Sequence, residues 1–160
     1  MRKRTLILTL LMAVFMIGCG NEDIKESNET QIMESEEDFD TEIDELDAYM
    51  TSIKEKSDRI KASLENDELT QREMNIKSQE LYELWDGALN YLWDELKSCL
   101  SEEEFSKLLD EQRTWITKKE KSVEEAGKEV EGGSLYPLVV NMEAAKITEE
   151  RAYELYELLN

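Results

Sequence analysis

Four polar side chains interrupt two otherwise apolar segments, with Asp86 and Asn90 in the first and Gln112 and Arg113 in the second. Both segments have helical periodicity. A turn near Ser101 would make them antiparallel, so that facing residues have numbers summing to about 200. This register predicts that Asp86 lies near Arg113 and Asn90 near Gln112. Because an unpaired buried charge is costly, two interpretations stay open: an interhelical network that fixes the register, or a recognition patch at the seam.

Three tryptophans follow the same two segments. The register places Trp115 near Asp86 and Trp93 near Leu108, with Trp85 one residue before the first polar position. Large aromatic side chains at helical spacing are typical of a core, and they are also the usual anchors of protein interfaces. For the three tryptophans, a role in the core and a role in partner binding both stay open.

Residues that carry common enzyme chemistry are scarce. The sequence has no histidine, which removes the usual general base and the commonest metal ligand. Cys99 falls on the apolar side of its helix and is expected to be a buried core thiol. With no metal-ligand spacing, phosphate loop or paired acid and base in a recognisable pocket, we expect a protein that is not an enzyme and needs no metal or cofactor.

The N-terminus has the order of a bacterial lipoprotein signal. A basic stretch, Arg2-Lys3-Arg4, precedes an apolar run from Thr5 to Ile17, and Gly18-Cys19 follows. The run is too short to span a bilayer as a mature helix. Residues 1–18 are therefore predicted to be cleaved and Cys19 to be lipidated at the extracytoplasmic face of a bacterial cell membrane. An ordinary secretory peptide or a short anchor is the alternative.

The charge favours cationic partners. Loss of residues 1–18 removes three positive charges and takes the formal net charge from −20 to −23. Such a field repels nucleic acid and attracts basic proteins. We therefore expect no nucleic-acid partner.

The chain after the signal divides into three parts. Residues 19–38 are acidic and poor in apolar side chains, which predicts a disordered tether. Residues 39–66 carry a heptad seam with one polar member. Its positions are Phe39, Ile43, Leu46, Met50, Ile53, Ser57, Ile60 and Leu64. The seam either forms a coiled-coil homodimer or packs on the chain's own helices.

Residues 70–160 are predicted to form a helical domain. Capping boxes at Thr70-x-x-Glu73 and Ser101-x-x-Glu104 start two long helices. Gly132-Gly133 indicates a turn that needs positive φ, and such a turn is also suited to entering a partner's cleft. Two short helices should follow, the second capped by Thr148. The expected fold is an all-α antiparallel bundle: a long helical hairpin, short C-terminal helices and an additional N-terminal heptad helix.

Five short motifs occur in order at fitting distances over residues 71–159. They are Gln71-x-x-Met74-Asn75, Asp86-x-x-Leu89-Asn90, Gln112-Arg113-x-Trp115-Ile116, Gly132-Gly133-Ser134 and Ile147-Thr148-x-x-Arg151. Together they resemble the LprI-like lysozyme-inhibitor family of small helical secreted proteins and lipoproteins. The resemblance implies an envelope protein whose motif residues are structural or bind a partner such as lysozyme.

The chain departs from that family in its cysteines. The resemblance implies cysteines just after the Met-Asn pair, a few residues past the Trp-Ile pair and shortly before the Thr148 motif, and in these neighbourhoods this sequence has Lys77, Val123 and Glu143. Their absence means that the fold must rest on its helical core.

The sequence as a whole leads us to expect one of two functions. The protein either binds and inhibits a cationic cell-wall hydrolase by steric occlusion, or it is an adaptor lipoprotein that pairs through residues 39–66.

Overall fold

The computed structural model describes the backbone from Glu26 to Asn160 and the side chains from Glu45 onward. The predicted signal and Cys19 lie outside the described residues. Four α-helices and one short 3-10 turn make up the described chain, and no strand occurs in it. They are α1 Glu26–Asn66, α2 Gln71–Cys99, α3 Glu102–Gly127, the 3-10 turn Lys128–Val130 and α4 Tyr136–Glu157. The all-α class is confirmed.

Both predicted capping boxes are present. The Thr70 N–H donates to Glu73 at 2.8 Å, and the Glu73 N–H donates back to the Thr70 hydroxyl at 3.4 Å. Ser101 and Glu104 repeat this exchange at 3.1 and 3.4 Å. Hydrogen bonds from the side chain and backbone of Thr70 lower the pKa of Glu73, and those from Ser101 do the same for Glu104. These caps fix where α2 and α3 begin.

Helix α1 begins earlier than predicted. It starts at Glu26 rather than Phe39, so residues 26–38 of the expected disordered tether are helical. This stretch has no Gly or Pro and contains five Glu, one Gln and one Met, which favour helices even in a strongly acidic segment. The residues from Phe39 to Asn160 form one compact unit, and the contacts below belong to it.

The heptad seam of α1 is buried within the chain. Leu46, Met50, Ile53 and Ser57 are all buried, and the Ser57 hydroxyl accepts a hydrogen bond from Trp85 Nε1 at 3.0 Å. At these positions the seam packs on the chain's own helices, which is the second of the two arrangements expected from the sequence. The seam of a coiled-coil homodimer is therefore already occupied over this stretch.

Helix α4 replaces the two short C-terminal helices. It runs without a break through Thr148, so Thr148 does not cap a helix. The Thr148 side chain is completely buried. Continuation of the helix aligns a stripe of small residues along α4: Ala144, Ala145, Thr148 and Ala152. Small side chains let helix backbones come close, and α2 and α4 have the most extensive backbone contact of the helix pairs in this unit.

The helices run alternately up and down. Tyr49 of α1 contacts Tyr91 of α2, and Trp93 of α2 contacts Phe105 of α3, with ring centroids 4.3 and 5.1 Å apart. The second pair confirms the antiparallel register predicted for α2 and α3. The predicted hairpin is nevertheless not the centre of the fold, because α2 and α4 form the most extensive helix pair and α3 packs mainly on α4.

One core assignment was wrong. Cys99, which was expected to be a buried core thiol, is exposed at the end of α2. Since the core centres on α2 and α4, this part of the α2–α3 hairpin is only partly covered.

Candidate functional site

One group of motif residues holds the turn between α3 and α4. Gln71 Nε2 donates to Asn75 Oδ1 at 2.8 Å, and Asn75 Nδ2 donates to the Ser134 carbonyl at 3.1 Å. Gly132 has φ 74°, as the sequence predicts, whereas Gly133 does not have positive φ. The first turn of α2 thereby fixes a loop that is distant in sequence. We call the loop from Gly132 to Tyr136 the Gly132 turn.

The Gly132 turn presents apolar side chains to solvent. Leu135 is 40% exposed and Tyr136 is 38% exposed. Its far side is packed tightly, because a Cβ at Gly127 would lie 2.7 Å from Tyr136 Cε2 and 2.9 Å from Val140 Cγ1. The turn is thus an apolar projection on a firm base, a form suited to insertion into a concave partner.

A second group lies in the seam between α2 and α3. Asn90 Nδ2 donates to Asp86 Oδ2 at 3.2 Å, and the Tyr82 hydroxyl donates to Asp86 Oδ1 at 3.4 Å. The Lys119 ammonium lies 5.4 Å from the centroid of the Tyr82 ring and 4.8 Å from that of the Trp115 ring. We call Tyr82, Asp86 and Trp115, with Lys119 seated among them, the cation slot.

The first two groups are joined along α2. Gln71, Asn75, Tyr82, Asp86 and Asn90 are separated by intervals of four or seven residues, which places them on one helix face. The rise of the helix puts Asp86 roughly 16 Å from Asn75. The Gly132 turn and the cation slot therefore belong to one polar face of α2.

A third group is buried between α3 and α4. Arg151 Nε donates to Gln112 Oε1 at 3.0 Å, and Arg151 Nη1 donates to Glu154 at 2.7 Å. Arg151, Gln112 and Thr148 are all buried. Gln112 and Arg151 form an interhelical network of the predicted kind, but between different partners, and the Thr148 hydroxyl makes no hydrogen bond to it.

Two predicted pairings are therefore wrong. Arg113 is exposed and pairs with Asp110 on its own helix at 2.9 Å, and Gln112 bonds to Arg151 rather than to Asn90. Asp86 and Trp115, which were predicted to be neighbours, are connected only indirectly, through Tyr82 and Lys119. Gln112 points toward α4, and its neighbour Arg113, rotated by about 100° around the helix, lies on the exposed side of α3.

The remaining motif residues are apolar or aromatic. Leu89 is buried in the core and Met74 is half-buried. Trp85 is fully buried and packs on Tyr153, with ring centroids 5.5 Å apart, whereas Trp93 and Trp115 are only partly covered. The core interpretation therefore holds for Trp85. Of the three tryptophans, Trp115 is the one that reaches a polar surface site.

Sequence reasoning missed four residues of these surfaces. Tyr82 and Lys119 complete the cation slot, and Leu135 and Tyr136 form the apolar part of the turn. A signal for Tyr82 was its position four residues before Asp86, on the same helix face. Lys119 likewise follows Trp115 by one helical turn.

The arrangement is suited to binding through hydrogen bonds, apolar contacts and charge. In the part of the chain that the structure describes, no three His, Cys, Asp or Glu side chains are grouped as metal ligands would be. None of the described helices combines the length and apolarity needed to cross a membrane.

Comparison with known proteins identifies the class. The family described as Lysozyme inhibitor LprI matches residues 62–155, which include every motif position named above. This is more than half of the chain, and the protein belongs to the LprI lysozyme-inhibitor family. Neither the curated proteins nor the solved structures yielded a match.

Proposed function

We propose that this protein is a lipid-anchored bacterial envelope protein that binds and inhibits a cationic, lysozyme-type cell-wall hydrolase. Its membership of the LprI family carries the proposal, and the α2 motif residues Asn75, Asp86 and Asn90 support it because they lie on one helix face. Cys19 would carry the lipid and hold the protein at the extracytoplasmic face of the membrane. The protein acts by binding, with no chemical step of its own.

Inhibition would be steric. The Gly132 turn projects Leu135 and Tyr136 and is held by Asn75, so little conformational freedom is lost when it enters a cleft. The acidic surface adds a longer-range effect. With a mature net charge of −23, the chain attracts a basic enzyme and speeds the encounter, and this contribution falls as salt rises.

The test uses residues 19–160, the predicted mature chain, in unlipidated form. It is titrated into a lysozyme assay at low and moderate salt, beside an unrelated acidic helical protein. Inhibition that exceeds this control and persists at moderate salt is expected. Inhibition that matches the control and disappears with salt would reduce the interaction to charge attraction and refute the proposal.

A matched pair of variants locates the contact. Leu135→Ser removes an exposed apolar side chain from the turn, and Leu158→Ser removes a more exposed one, 56% accessible, at the other end of α4. Leu135 precedes the first residue of α4, makes no capping hydrogen bond and is 40% exposed, so loss of folding is not expected from its replacement. We expect weaker inhibition for Leu135→Ser alone. Equal inhibition by both variants would exclude the turn as the inserted element.

A further inference from the structure

The cation slot has the composition of a site for a positively charged side chain. The Lys119 ammonium lies over two aromatic rings and 3.4 Å from the Tyr82 hydroxyl, which in turn donates to Asp86. Aromatic faces and a carboxylate together attract ammonium and guanidinium groups. The slot is already filled by a cation, and that cation belongs to the protein itself.

The internal cation is held by contacts that an external one could replace. Lys119 is half-buried, and its ammonium contacts Tyr82 and Trp115 without a direct ion pair to any described carboxylate. Its flexible stem can carry the ammonium out to water. Asp86 is half-buried and Asn90 is exposed, so the slot opens to the surface beside the polar face of α2.

From this geometry we propose that the cation slot binds an arginine or lysine side chain of the partner protein, which displaces the ammonium of Lys119. The inference rests on the proposed function for the identity of the partner, because a cationic hydrolase presents such side chains. The inference adds to the proposed function a specific recognition site, the cation slot, in which Lys119 competes with the side chain of the partner. Lys119 then lowers the affinity for the partner, and its removal strengthens binding.

The probes are lysozyme and a hexa-arginine peptide, and binding to residues 19–160 is measured by calorimetry at two salt concentrations. The first variant is Lys119→Met, which keeps an unbranched apolar stem and removes the ammonium. Its matched control is Lys118→Met, which makes the same change of net charge at the adjacent exposed position. We expect Lys119→Met to raise the affinity for both probes about three- to tenfold more than the control does, from the usual strength of cation–π contacts.

The second pair tests the carboxylate. Asp86→Asn removes the charge beside the slot, and Asp94→Asn removes one from an exposed site on the same helix. A several-fold greater loss of affinity is expected for Asp86→Asn. In NMR spectra, the indole N–H signal of Trp115, assigned with Trp115→Phe, should shift on addition of hexa-arginine.

The outcomes separate the two proposals. If Lys119→Met behaves as Lys118→Met does, or Asp86→Asn as Asp94→Asn does, the slot does not bind the partner, even when lysozyme is inhibited. If hexa-arginine responds to Lys119→Met as expected but lysozyme does not bind, the slot is a cation site and the proposed function is wrong.

Discussion

Ser57 is the position where the heptad pattern and the structure make opposite predictions. In a coiled-coil seam this serine is a defect, and replacing it with alanine should leave stability unchanged or improve it. In the structure Ser57 and Trp85 are both fully buried, and the indole N–H donates to the serine hydroxyl at 3.0 Å. Ser57→Ala would leave that N–H buried without an acceptor.

The expected magnitude follows from the burial. A buried polar group that loses its partner costs about 1–3 kcal/mol. The better helix propensity of alanine returns at most about 0.5 kcal/mol. We therefore expect Ser57→Ala to lower the free energy of unfolding by roughly 0.5–2.5 kcal/mol.

Urea unfolding of residues 19–160, followed by circular dichroism, measures this loss. Ser98→Ala is the matched control, because Ser98 is an exposed serine on α2 and its replacement should leave stability nearly unchanged. Trp85→Phe removes the N–H and completes a double-mutant cycle. The cost of Ser57→Ala should nearly disappear in the Trp85→Phe background. An unchanged cost in both backgrounds, or no cost at all, would refute the hydrogen bond as the cause.

Three further predictions concern the same unit. Gly127→Ala should destabilise this unit by about 1–3 kcal/mol, because the new Cβ meets the α4 side chains of Tyr136 and Val140. Gly87→Ala, whose new Cβ has no atom within 4 Å, should stabilise it by about 0.5–1 kcal/mol. Thermal unfolding of the two variants tests these opposite effects. Gln112→Leu removes the hydrogen-bond acceptor of the buried Arg151 and should lower the free energy of unfolding by about 1.5–3 kcal/mol. Arg113→Gln removes only an exposed ion pair and should lower it by less than about 1 kcal/mol. Urea unfolding measures both values. Folding lowers the pKa of Glu73 from 4.5, so the charge of Glu73 stabilises the fold above that pH. The wild type should therefore be more stable than Glu73→Gln at neutral pH. Thermal unfolding at several pH values should show this difference disappear as pH falls through the lowered pKa.

The helix starts at Thr70 and Ser101 could be predicted because capping is local chemistry. The residues that decide each of these two caps lie within one helical turn, and at these positions no tertiary contact favours a longer helix. The same local reasoning failed at Thr148, which has the sequence of an N-cap but lies inside α4. There the small residues of α4 gain more by continuing the helix against α2 than Thr148 gains by capping.

The site was predicted in its residues but not in its pairings. Asp86, Asn90, Gln112 and Arg113 are poor choices for the middle of a helix, and this drew attention to them. Which of them meet depends on which helices pack most closely, and the antiparallel register of α2 and α3 does not specify that. Once α2 and α4 are the central pair, Gln112 faces Arg151 instead of Asn90.

Helix α1 supports the candidate surface although most of it lies outside the residues that match the family. Its side chains Leu46, Met50 and Ile53 complete the core, and Ser57 holds the indole of Trp85. Trp85 is the residue before Asp86, so the packing that fixes its ring also fixes the rotation of α2 and hence the direction of the polar face. In the described part of the chain Cys99 is a free thiol, and no disulfide shares this task. The burial of α1 therefore helps to fix the orientation of α2, which carries Asn75 of the turn contact and Tyr82 and Asp86 of the cation slot.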